Sequence, residues 1–496
     1  MKALLALFVL GLLYSAWIVY LVGQPLFGML LVIVAVVCGV VFSHKRFYTY
    51  RFVVPGMVTM ALFVIFPIVY TIYLGFTNYG SFNLLHYERS QQVILSSNIV
   101  DSASARPFSV IKDGENYRIF ISRLDGKGGY KSTVSKLTSS PSILLSQDVL
   151  SAPEQTLSRR DVIKLRKALA QVTVILPSGD EMRSAGLREF AGIQPEYVLQ
   201  EDQSVVNQLT KEQFWPDHET GFYTDSDGNR LTPGWRTNIG WGNFERIITS
   251  AGIRGPMWSI FLWTIGFAVA SVAFCFAIGL ALAVALQWPH LRARSFYRVM
   301  LILPYAVPAF ISILVFKGLF NQNFGEINLL LKGLFGVQPD WNTDANLART
   351  MLLIVNTWLG YPYMMLLAMG FLQAVPEDQK KAAYIEGAGP LRVFFTITLP
   401  QIIPPFVPLL LASFAFNFNN IVLILLLTRG LPDIPGTIIP AGETDILGSF
   451  TYRIAFMDSG AQFGLAGAIT LIIFILVSII AYASFVAMRK TEGVAS

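Results

Sequence analysis

Long apolar runs dominate the chain, and their length predicts helices that cross a membrane. A helix that spans the hydrocarbon core needs about 20 predominantly apolar residues. By that measure we predict about eight spans, three before and five after a long polar stretch. They are Ala3–Val22, Leu26–Phe42, Phe52–Phe76, Trp258–Leu286, Val299–Leu319, Met351–Leu372, Ile402–Leu427 and Leu465–Met488. Because the first run is too long for a signal peptide and a second follows almost at once, we expect an uncleaved anchor.

The polar stretch between the third and fourth spans, residues 77–257, has the composition of a soluble domain. Alternating or β-branched residues in Tyr117–Leu124 and Gln171–Leu176 indicate strands, and Pro177–Asp180 is a turn signal. Asp161–Gln171 has the periodicity of a short helix. The fold class that we predict is therefore an all-α polytopic membrane protein with a large β-rich periplasmic domain inserted after the third helix.

The overall composition agrees with an integral membrane protein. Hydrophobic residues make up 54% of the chain and charged residues only 14%, whereas about a quarter of a soluble domain is charged. The net charge of +6 is typical of Lys and Arg in cytoplasmic loops, and we expect no nucleic-acid partner. Cys38 and Cys275 lie in apolar runs, which predicts buried thiols without a disulfide. The four histidines lack metal-ligand spacing and Asp225–Asn229 matches a calcium loop only in part, so we expect a turn there and no metal site.

Clusters of cations near the ends of the predicted spans indicate the orientation of the chain. They lie at His44–Arg51, Arg292–Arg298, Lys380–Arg392 and Arg489–Lys490, all on one side if the count of spans is right. Since cytoplasmic loops carry the excess of Lys and Arg, that side is the cytoplasm, and both termini lie there. The predicted division is 1–76 for three N-terminal helices, 77–257 for the periplasmic domain, 258–488 for a five-helix core and 489–496 for a cytoplasmic tail.

Two stripes of polar and aromatic residues lie within the last five spans. Asn356, Gly360 and Tyr363 stand at i, i+4 and i+7 on one helix face, with Leu359 beside them. This spacing predicts that the four side chains face a common environment other than lipid.

The seventh span carries a similar stripe. Ser413, Asn417 and Asn420 share a face, and Phe416 lies next to it. Both stripes predict a wet cavity at mid-membrane, with amides for sugar hydroxyls and flat rings for sugar C–H surfaces. The alternative is that each polar residue hydrogen-bonds a neighbouring helix and that glycine permits close packing.

Proline residues in the fifth span predict a kink beside the same cavity. Pro304 and Pro308 lack an amide hydrogen and free backbone carbonyls on either side of Tyr305. We therefore include Tyr305 among the candidate residues of the cavity.

The chain shows no energy source of its own. Four of the last five spans contain no Asp, Glu, His or Arg, and their only ionisable residue other than tyrosine is Lys317. Proton- or sodium-driven transporters usually need carboxylates or discontinuous ion sites in the membrane. No GxxxxGK[ST] motif is present, so an ATP-driven pump requires another subunit. The alternatives are a secondary sugar carrier or facilitator and a membrane-anchored sensor with an external ligand-binding domain.

The segment Lys381–Pro400 is charged and Gly-punctuated, and it lies between two apolar runs. Asp378–Ile385 is predicted to be a short helix that follows Pro376 and ends before Gly387. We expect a partner on the cytoplasmic side to bind this segment, because its residues supply neither a reaction nor a source of energy.

This segment resembles the cytoplasmic coupling loop of binding-protein-dependent ABC importer permeases, which reads E-A-A-x-x-x-G-A. Ala382, Ala383, Gly387 and Ala388 match, while Lys381 stands where the acid is expected. The resemblance implies that residues 376–400 contact a partner ATPase. The coupling residues that it implies are Lys381, Ala382, Ala383, Glu386 and Gly387, with Glu386 able to take over part of the role of the acid.

Further motifs resemble the larger permease subunit of maltose/maltodextrin importers. They are Leu301–Pro308, Gly318–Asn328, Asn356–Met365, Ala412–Asn420 and Tyr452–Phe456, together with Tyr50–Gly56 near the N-terminus. The resemblance implies a substrate site that overlaps the two stripes. At Ala309 the sequence departs from the family pattern, which has a residue with a hydroxyl group at that position. The implied sugar-binding residues are Tyr305, Asn356, Leu359, Gly360, Tyr363, Phe416, Asn417 and Asn420.

The same resemblance implies an assembly and a location. The partners would be a second permease resembling MalG, a dimer of MalK-like ATPases and a periplasmic maltose-binding protein that the outer domain helps to hold. The chain itself would be a non-catalytic permease without a cofactor, because ATP and Mg belong to the ATPase. It would lie in the inner membrane of a Gram-negative bacterium and carry maltose or maltodextrins.

Overall fold

The computed structural model describes residues 2–114, 116–123, 128–133, 142–150, 156–186, 188–288, 290–457 and 461–494. They form two compact units, a helical unit of Met1–Ser81 with Asn238–Ser496 and an insertion domain of Phe82–Thr237. The insertion domain lies within the predicted range 77–257. The residues from Asn238 to Met257 belong to the helical unit instead, because they form a short helix and the first turns of a long one.

Three helices precede the insertion domain. They are α1 (Lys2–Leu21), α2 (Pro25–Ser43) and α3 (Val54–Gly75), and α1 packs against α2. The Arg51 guanidinium donates hydrogen bonds to the carbonyl oxygens of Val41 at 3.1 Å and Phe42 at 2.8 Å. A cation at these unpaired carbonyls stabilises the C-terminus of α2, where the partial charge of the helix is negative.

The insertion domain is rich in β-strands, as predicted. Seven strands close into a barrel in the order β1 to β7, and a separate five-stranded sheet has the order β12-β11-β10-β9-β8. All described pairings are antiparallel except β4 with β5. In chain order the elements are α4 (Tyr87–Leu95), β1 (Asn98–Asp113), β2 (Asn116–Ser122), β3 (Gly129–Ser132), β4 (Ser142–Val149), α5 (Arg159–Lys164), α6 (Arg166–Leu169), β5 (Thr173–Ile175), β6 (Glu181–Ser184), β7 (Glu189–Pro195), β8 (Tyr197–Leu199), β9 (Val205–Asn207), β10 (Gln213–Asp217), β11 (Phe222–Thr224) and β12 (Arg230–Leu231).

Both segments predicted as strands form strands of the barrel, β2 and β5, and contribute apolar residues to its core. The helix predicted over Asp161–Gln171 is instead two short helices, because the chain turns at Leu165.

The Asp225–Asn229 segment is a turn, as expected. Asp225 accepts hydrogen bonds from the Asn229 backbone and side chain, each at 2.7 Å. These hydrogen bonds from Asn229 hold the pKa of the Asp225 carboxyl below its usual value.

The rest of the helical unit follows the insertion domain. Its helices are α7 (Gly242–Thr249), α8 (Ala251–Leu286), α9 (Arg294–Ala306), α10 (Ala309–Leu319), α11 (Glu326–Phe335), α12 (Ala345–Ala374), α13 (Glu377–Ile385), α14 (Pro390–Phe418), α15 (Ile421–Leu427), α16 (Leu447–Phe456) and α17 (Phe463–Val494). The long helix α8 packs along α12, and this pair forms the centre of the helical unit.

Two spans that we predicted as single helices are broken. The span Val299–Leu319 consists of α9 and α10, which meet at an angle of 92°. The predicted kink is therefore confirmed, and its position follows from Pro308, which cannot donate a backbone hydrogen bond into the preceding turn. The predicted span Ile402–Leu427 is likewise divided into α14 and α15 at Asn419 and Asn420.

The structure has six helices that are long and apolar enough to cross a membrane, or seven if α9 and α10 count as one span, among the residues that it describes. The last of the about eight spans that apolar length predicts lies within α17, where the described apolar portion is Phe463–Ile479. A polytopic helical protein with a β-rich insertion after the third helix is confirmed.

Close packing of α8 against α12 generates a first prediction. A Cβ atom on Gly279 would lie 2.7 Å from both the Met364 Cβ and the Met365 backbone nitrogen, whereas Gly266 on the same helix has open space beside it. We expect Gly279→Ala to lower the thermal stability of the purified protein, because overpacking costs about 1–3 kcal/mol. The matched change Gly266→Ala should not lower it. Equal melting temperatures for the two variants would contradict the proposed contact.

Candidate functional site

Three asparagine side chains form a hydrogen-bond network between α12 and the break that separates α14 from α15. The Asn356 amide donates from Nδ2 to Asn417 Oδ1 at 2.7 Å, and Asn420 Nδ2 donates to Asn356 Oδ1 at 3.2 Å. Asn417 Nδ2 in turn donates to the backbone oxygen of Ser413 at 2.8 Å. The structure therefore brings together the polar residues of the two predicted stripes.

The position of this network follows from the local sequence. Asn420 is the N-cap of α15, and its Oδ1 accepts from the Leu423 nitrogen at 3.5 Å, a long contact. Asn356 and Asn417 are buried, each with 5% of its surface exposed. Buried amides in an apolar region must be paired, because an unpaired polar group there is costly. In this structure they pair with each other.

Leu359 and Gly360 lie in packed surroundings. A Cβ atom on Gly360 would approach Cys275 Sγ of α8 to 2.6 Å, so glycine allows the two helices to come close. Leu359 packs against an apolar cluster that includes Phe267 and Leu423. For these two residues, the packing interpretation describes the present structure.

The three aromatic candidates have exposed side chains in the isolated chain. Tyr305 is 60% exposed and Phe416 is 69% exposed, while Tyr363 is exposed to a smaller extent. Tyr305 lies just before the bend between α9 and α10. In the described part of the chain no ring contact joins these three side chains. The structure thus unites the amides, but not the rings, into one cluster.

Two further hydrogen bonds connect the broken helices to their neighbours, and the sequence did not identify them. Lys317 Nζ on α10 donates to the Leu426 backbone oxygen at the end of α15, at 3.2 Å. Tyr361 on α12 donates through its hydroxyl to the Leu301 oxygen of α9, at 3.0 Å. The signal available in the sequence was Lys317 itself, an isolated cation in an apolar run.

An ion cluster centred on the buried Arg453 organises the loop that follows α15. The Arg453 guanidinium contacts Asp445 and Asp433, each at 2.6 Å, and Ser449 donates to Asp445 at 2.7 Å. Burial raises the pKa of the Asp445 carboxyl, against the opposing effect of the Arg453 charge. In the sequence, Arg453 stands out only as part of the Tyr452–Phe456 motif.

The predicted coupling segment begins with α13, whose C-terminus explains the glycine of the motif. Gly387 has φ +86°, in the left-handed region that favours glycine. Its nitrogen donates to the Tyr384 oxygen at 3.1 Å, and the Ala388 nitrogen donates to the Ala383 oxygen at 3.0 Å. This pair of bonds is the Schellman arrangement that ends a helix. Gly387 therefore sets the direction in which the chain leaves α13.

The other predicted coupling residues lie on α13 or next to it. Lys381 contacts Glu377 at 3.3 Å and Asp378 at 3.9 Å, and Glu386 is the C-cap residue. Ala382 is exposed, Ala383 is partly exposed, and no residue of α13 is buried. The helix thus offers almost all of its surface to the surroundings.

Comparison with known proteins identifies the family. Residues 85–240 match the family described as "Maltose transport system permease protein MalF P2 domain", and residues 244–490 match "Binding-protein-dependent transport system inner membrane component". The Maltose/maltodextrin transport system permease protein MalF of Escherichia coli (strain K12) is 45% identical over 97% of this chain and 95% of its own length. The protein of the same name from Yersinia pestis is 45% identical over 94% of this chain and 90% of its own length. The chain belongs to the MalF family.

Family membership establishes the general class of the protein. It is a multi-pass inner-membrane permease of a binding-protein-dependent ABC importer. Membership also implies a partner permease, an ATPase and a substrate-binding protein. Among solved structures, a bacterial ABC transporter that imports alginate matches 51% of this chain and 84% of its own, at 18% identity and a TM-score of 0.44.

The asparagine network generates a second prediction. Asn417→Ala removes the acceptor of the buried Asn356 amide, which should destabilise the protein by about 1–3 kcal/mol. The control is Asn419→Ala, because Asn419 is exposed and makes only a 3.3 Å contact to Ala415. Thermal unfolding of the two purified variants measures the difference. A loss of stability as large in Asn419→Ala would argue against the network.

Proposed function

We propose that this chain forms the sugar pathway of an ATP-driven importer of maltose and maltodextrins. The observation that carries the proposal is the full-length similarity to permeases named for that transport, at 45% identity over 97% of the chain. The network of Asn356, Asn417 and Asn420 supports it, because amide groups pair well with sugar hydroxyls.

The proposed sugar site comprises the eight residues that the sequence identified. Asn356, Asn417 and Asn420 exchange their mutual hydrogen bonds for bonds to the sugar, so that no amide is left unpaired. The exposed rings of Tyr305, Tyr363 and Phe416 cover the apolar faces of the sugar. Leu359 and Gly360 form the wall of the site between the sugar and α8. Ala309 supplies no hydroxyl.

The proposed coupling runs from α13 into α14. Residues 376–400 contact the ATPase through Lys381, Ala382, Ala383, Glu386 and Gly387, and α14 begins within this segment. The same helix ends next to Asn417, about 40 Å away at 1.5 Å per residue. A displacement imposed on the cytoplasmic end therefore reaches the proposed sugar-binding amides through α14 and the helix α8 that packs along it.

Alternating access follows as a shift between two conformers. ATP and the sugar-loaded binding protein each favour the outward-open conformer, and hydrolysis returns the complex to the inward-open one. The breaks between α9 and α10 and between α14 and α15 are the points at which helix segments can turn independently. ATP and Mg belong to the ATPase, and this chain acts as a non-catalytic subunit.

The proposed assembly contains a MalG-like permease, a dimer of MalK-like ATPases and a periplasmic maltose-binding protein. In the inner membrane of a Gram-negative bacterium both termini are cytoplasmic, and the insertion domain lies in the periplasm, where it helps to hold the binding protein.

Reconstitution of this chain alone distinguishes the proposed importer from a carrier, since a secondary carrier or facilitator would take up sugar without the ATPase. A sensor would give no uptake, whether this chain is reconstituted alone or in the complete complex.

The aromatic part of the site generates a third prediction. We expect Tyr363→Ala to lower uptake of labelled maltose severalfold in the reconstituted complex, because a stacked ring contributes about 1 kcal/mol. Copurification of the ATPase should be unchanged. Tyr20→Ala, which removes an exposed ring from α1, is the control. Wild-type uptake of both maltose and longer maltodextrins by the Tyr363 variant would remove Tyr363 from the site.

The coupling role generates a fourth prediction. Gly387→Val should abolish transport and leave membrane insertion intact, because a β-branched residue at φ +86° distorts the end of α13. The matched control is Gly336→Val, because Gly336 ends α11 in the same left-handed conformation, at φ +70°, and lies outside the coupling segment. Transport and sugar-stimulated ATP hydrolysis are measured in parallel. Normal uptake by the Gly387 variant would refute coupling through this segment.

A further inference from the structure

The coupling segment exposes a set of large apolar side chains. On α13 these are Tyr384 and Ile385, of which Ile385 is 87% exposed, and Leu391 and Phe395 at the start of α14 are also exposed. Single exposed apolar residues are common, but four within twelve positions indicate a surface that a partner covers. By the proposed function, on which this inference rests, that partner is the ATPase.

Lys381 lies at the centre of the exposed apolar face of α13. At about 100° per residue, it is about 40° from Ile385 and about 60° from Tyr384 around the helix axis. Gln379 is about 160° away, and its side chain accepts a hydrogen bond from Gln401 of α14 at 2.7 Å. Since Gln379 faces α14, Lys381 and the two apolar side chains face the opposite direction, toward the docked partner.

The charge of Lys381 is available to a partner. Its side chain is 64% exposed, and the side chains of its partners Glu377 and Asp378 are 79% and 99% exposed. Such pairs between exposed residues within one helix contribute little to stability. The two carboxylates lie one turn farther from Ile385 than Lys381 does, and Glu386 lies about 140° around the helix axis from Lys381, on the side of Gln379. The charge on the apolar face itself is therefore positive.

We propose that Lys381 makes this chain selective for an ATPase that presents a carboxylate at the docking surface opposite it. Related coupling loops of the E-A-A pattern carry an acid at this position and therefore attract a cation. The reversed charge excludes such an ATPase, because like charges brought together at a partly desolvated contact oppose docking. The chain and its own ATPase thus form a matched pair.

The test uses the complete complex with its own ATPase, reconstituted with the binding protein. We expect Lys381→Glu to lower sugar-stimulated ATP hydrolysis at limiting ATPase about tenfold, equivalent to about 1.4 kcal/mol. Lys380→Glu makes the same change of charge about 100° around the helix and should alter the activity less than about twofold, about 0.4 kcal/mol. Equal effects of the two substitutions would overturn the proposal, since they would indicate a response to net charge alone.

Two further arms make the assignment specific. Each Asp or Glu of the ATPase docking surface is replaced by Lys, and one of these changes should restore activity to Lys381→Glu while impairing the wild-type chain. In addition, the Lys381→Glu chain should bind the ATPase of a related importer whose permease has the E-A-A pattern better than the wild-type chain does. Failure of both the rescue and the exchange would overturn the carboxylate assignment.

Ile385→Asp distinguishes this inference from the proposed coupling itself. If α13 docks on the ATPase, the charge introduced at the apolar contact should prevent the ATPase from copurifying. Loss of copurification in Ile385→Asp together with wild-type behaviour of Lys381→Glu would overturn only the charge selectivity. Wild-type behaviour of both variants would overturn docking through α13 as well.

Discussion

The rest of the helical unit depends on one constraint: buried amide and backbone groups inside an apolar region must find partners within the protein. The break between α14 and α15 interrupts a helix that otherwise satisfies its own backbone. Asn420 caps the new helix, and its side chain also reaches Asn356 on α12. In this structure the asparagine network therefore ties the break to α12.

In the proposed mechanism, the three asparagine side chains have two states of hydrogen bonding. Without a sugar, Asn356, Asn417 and Asn420 pair with one another, so the closed network stabilises the ligand-free structure. A sugar must offer hydroxyl groups in positions that replace those bonds, since an incomplete replacement leaves a buried amide unpaired. Selectivity for polyhydroxylated ligands then follows from the cost of opening the network.

The two ends of α14 carry different tasks in the proposed mechanism. At the cytoplasmic end, Gly387 fixes the exit from α13 through its left-handed conformation, and Lys381 sets the charge that a partner meets. At the other end, Asn417 is hydrogen-bonded to Asn356 and belongs to the proposed sugar site. A displacement between them depends on the packing of α14 along α8, because a π-helical turn and three interior prolines interrupt the backbone hydrogen bonds of α14.

The sequence by itself determined the helical membrane class, the β-rich insertion and the stripes that contain Asn356 and Asn417, because these depend on the length and period of apolar runs. It also indicated the kink near Pro308, since proline acts locally. Only the tertiary structure decided that Gly360 faces Cys275, that Lys317 bonds to Leu426 and that Arg453 joins two aspartates. Each of these depends on which helices or loops become neighbours, and helical period defines the face of a residue but not the partner that covers it.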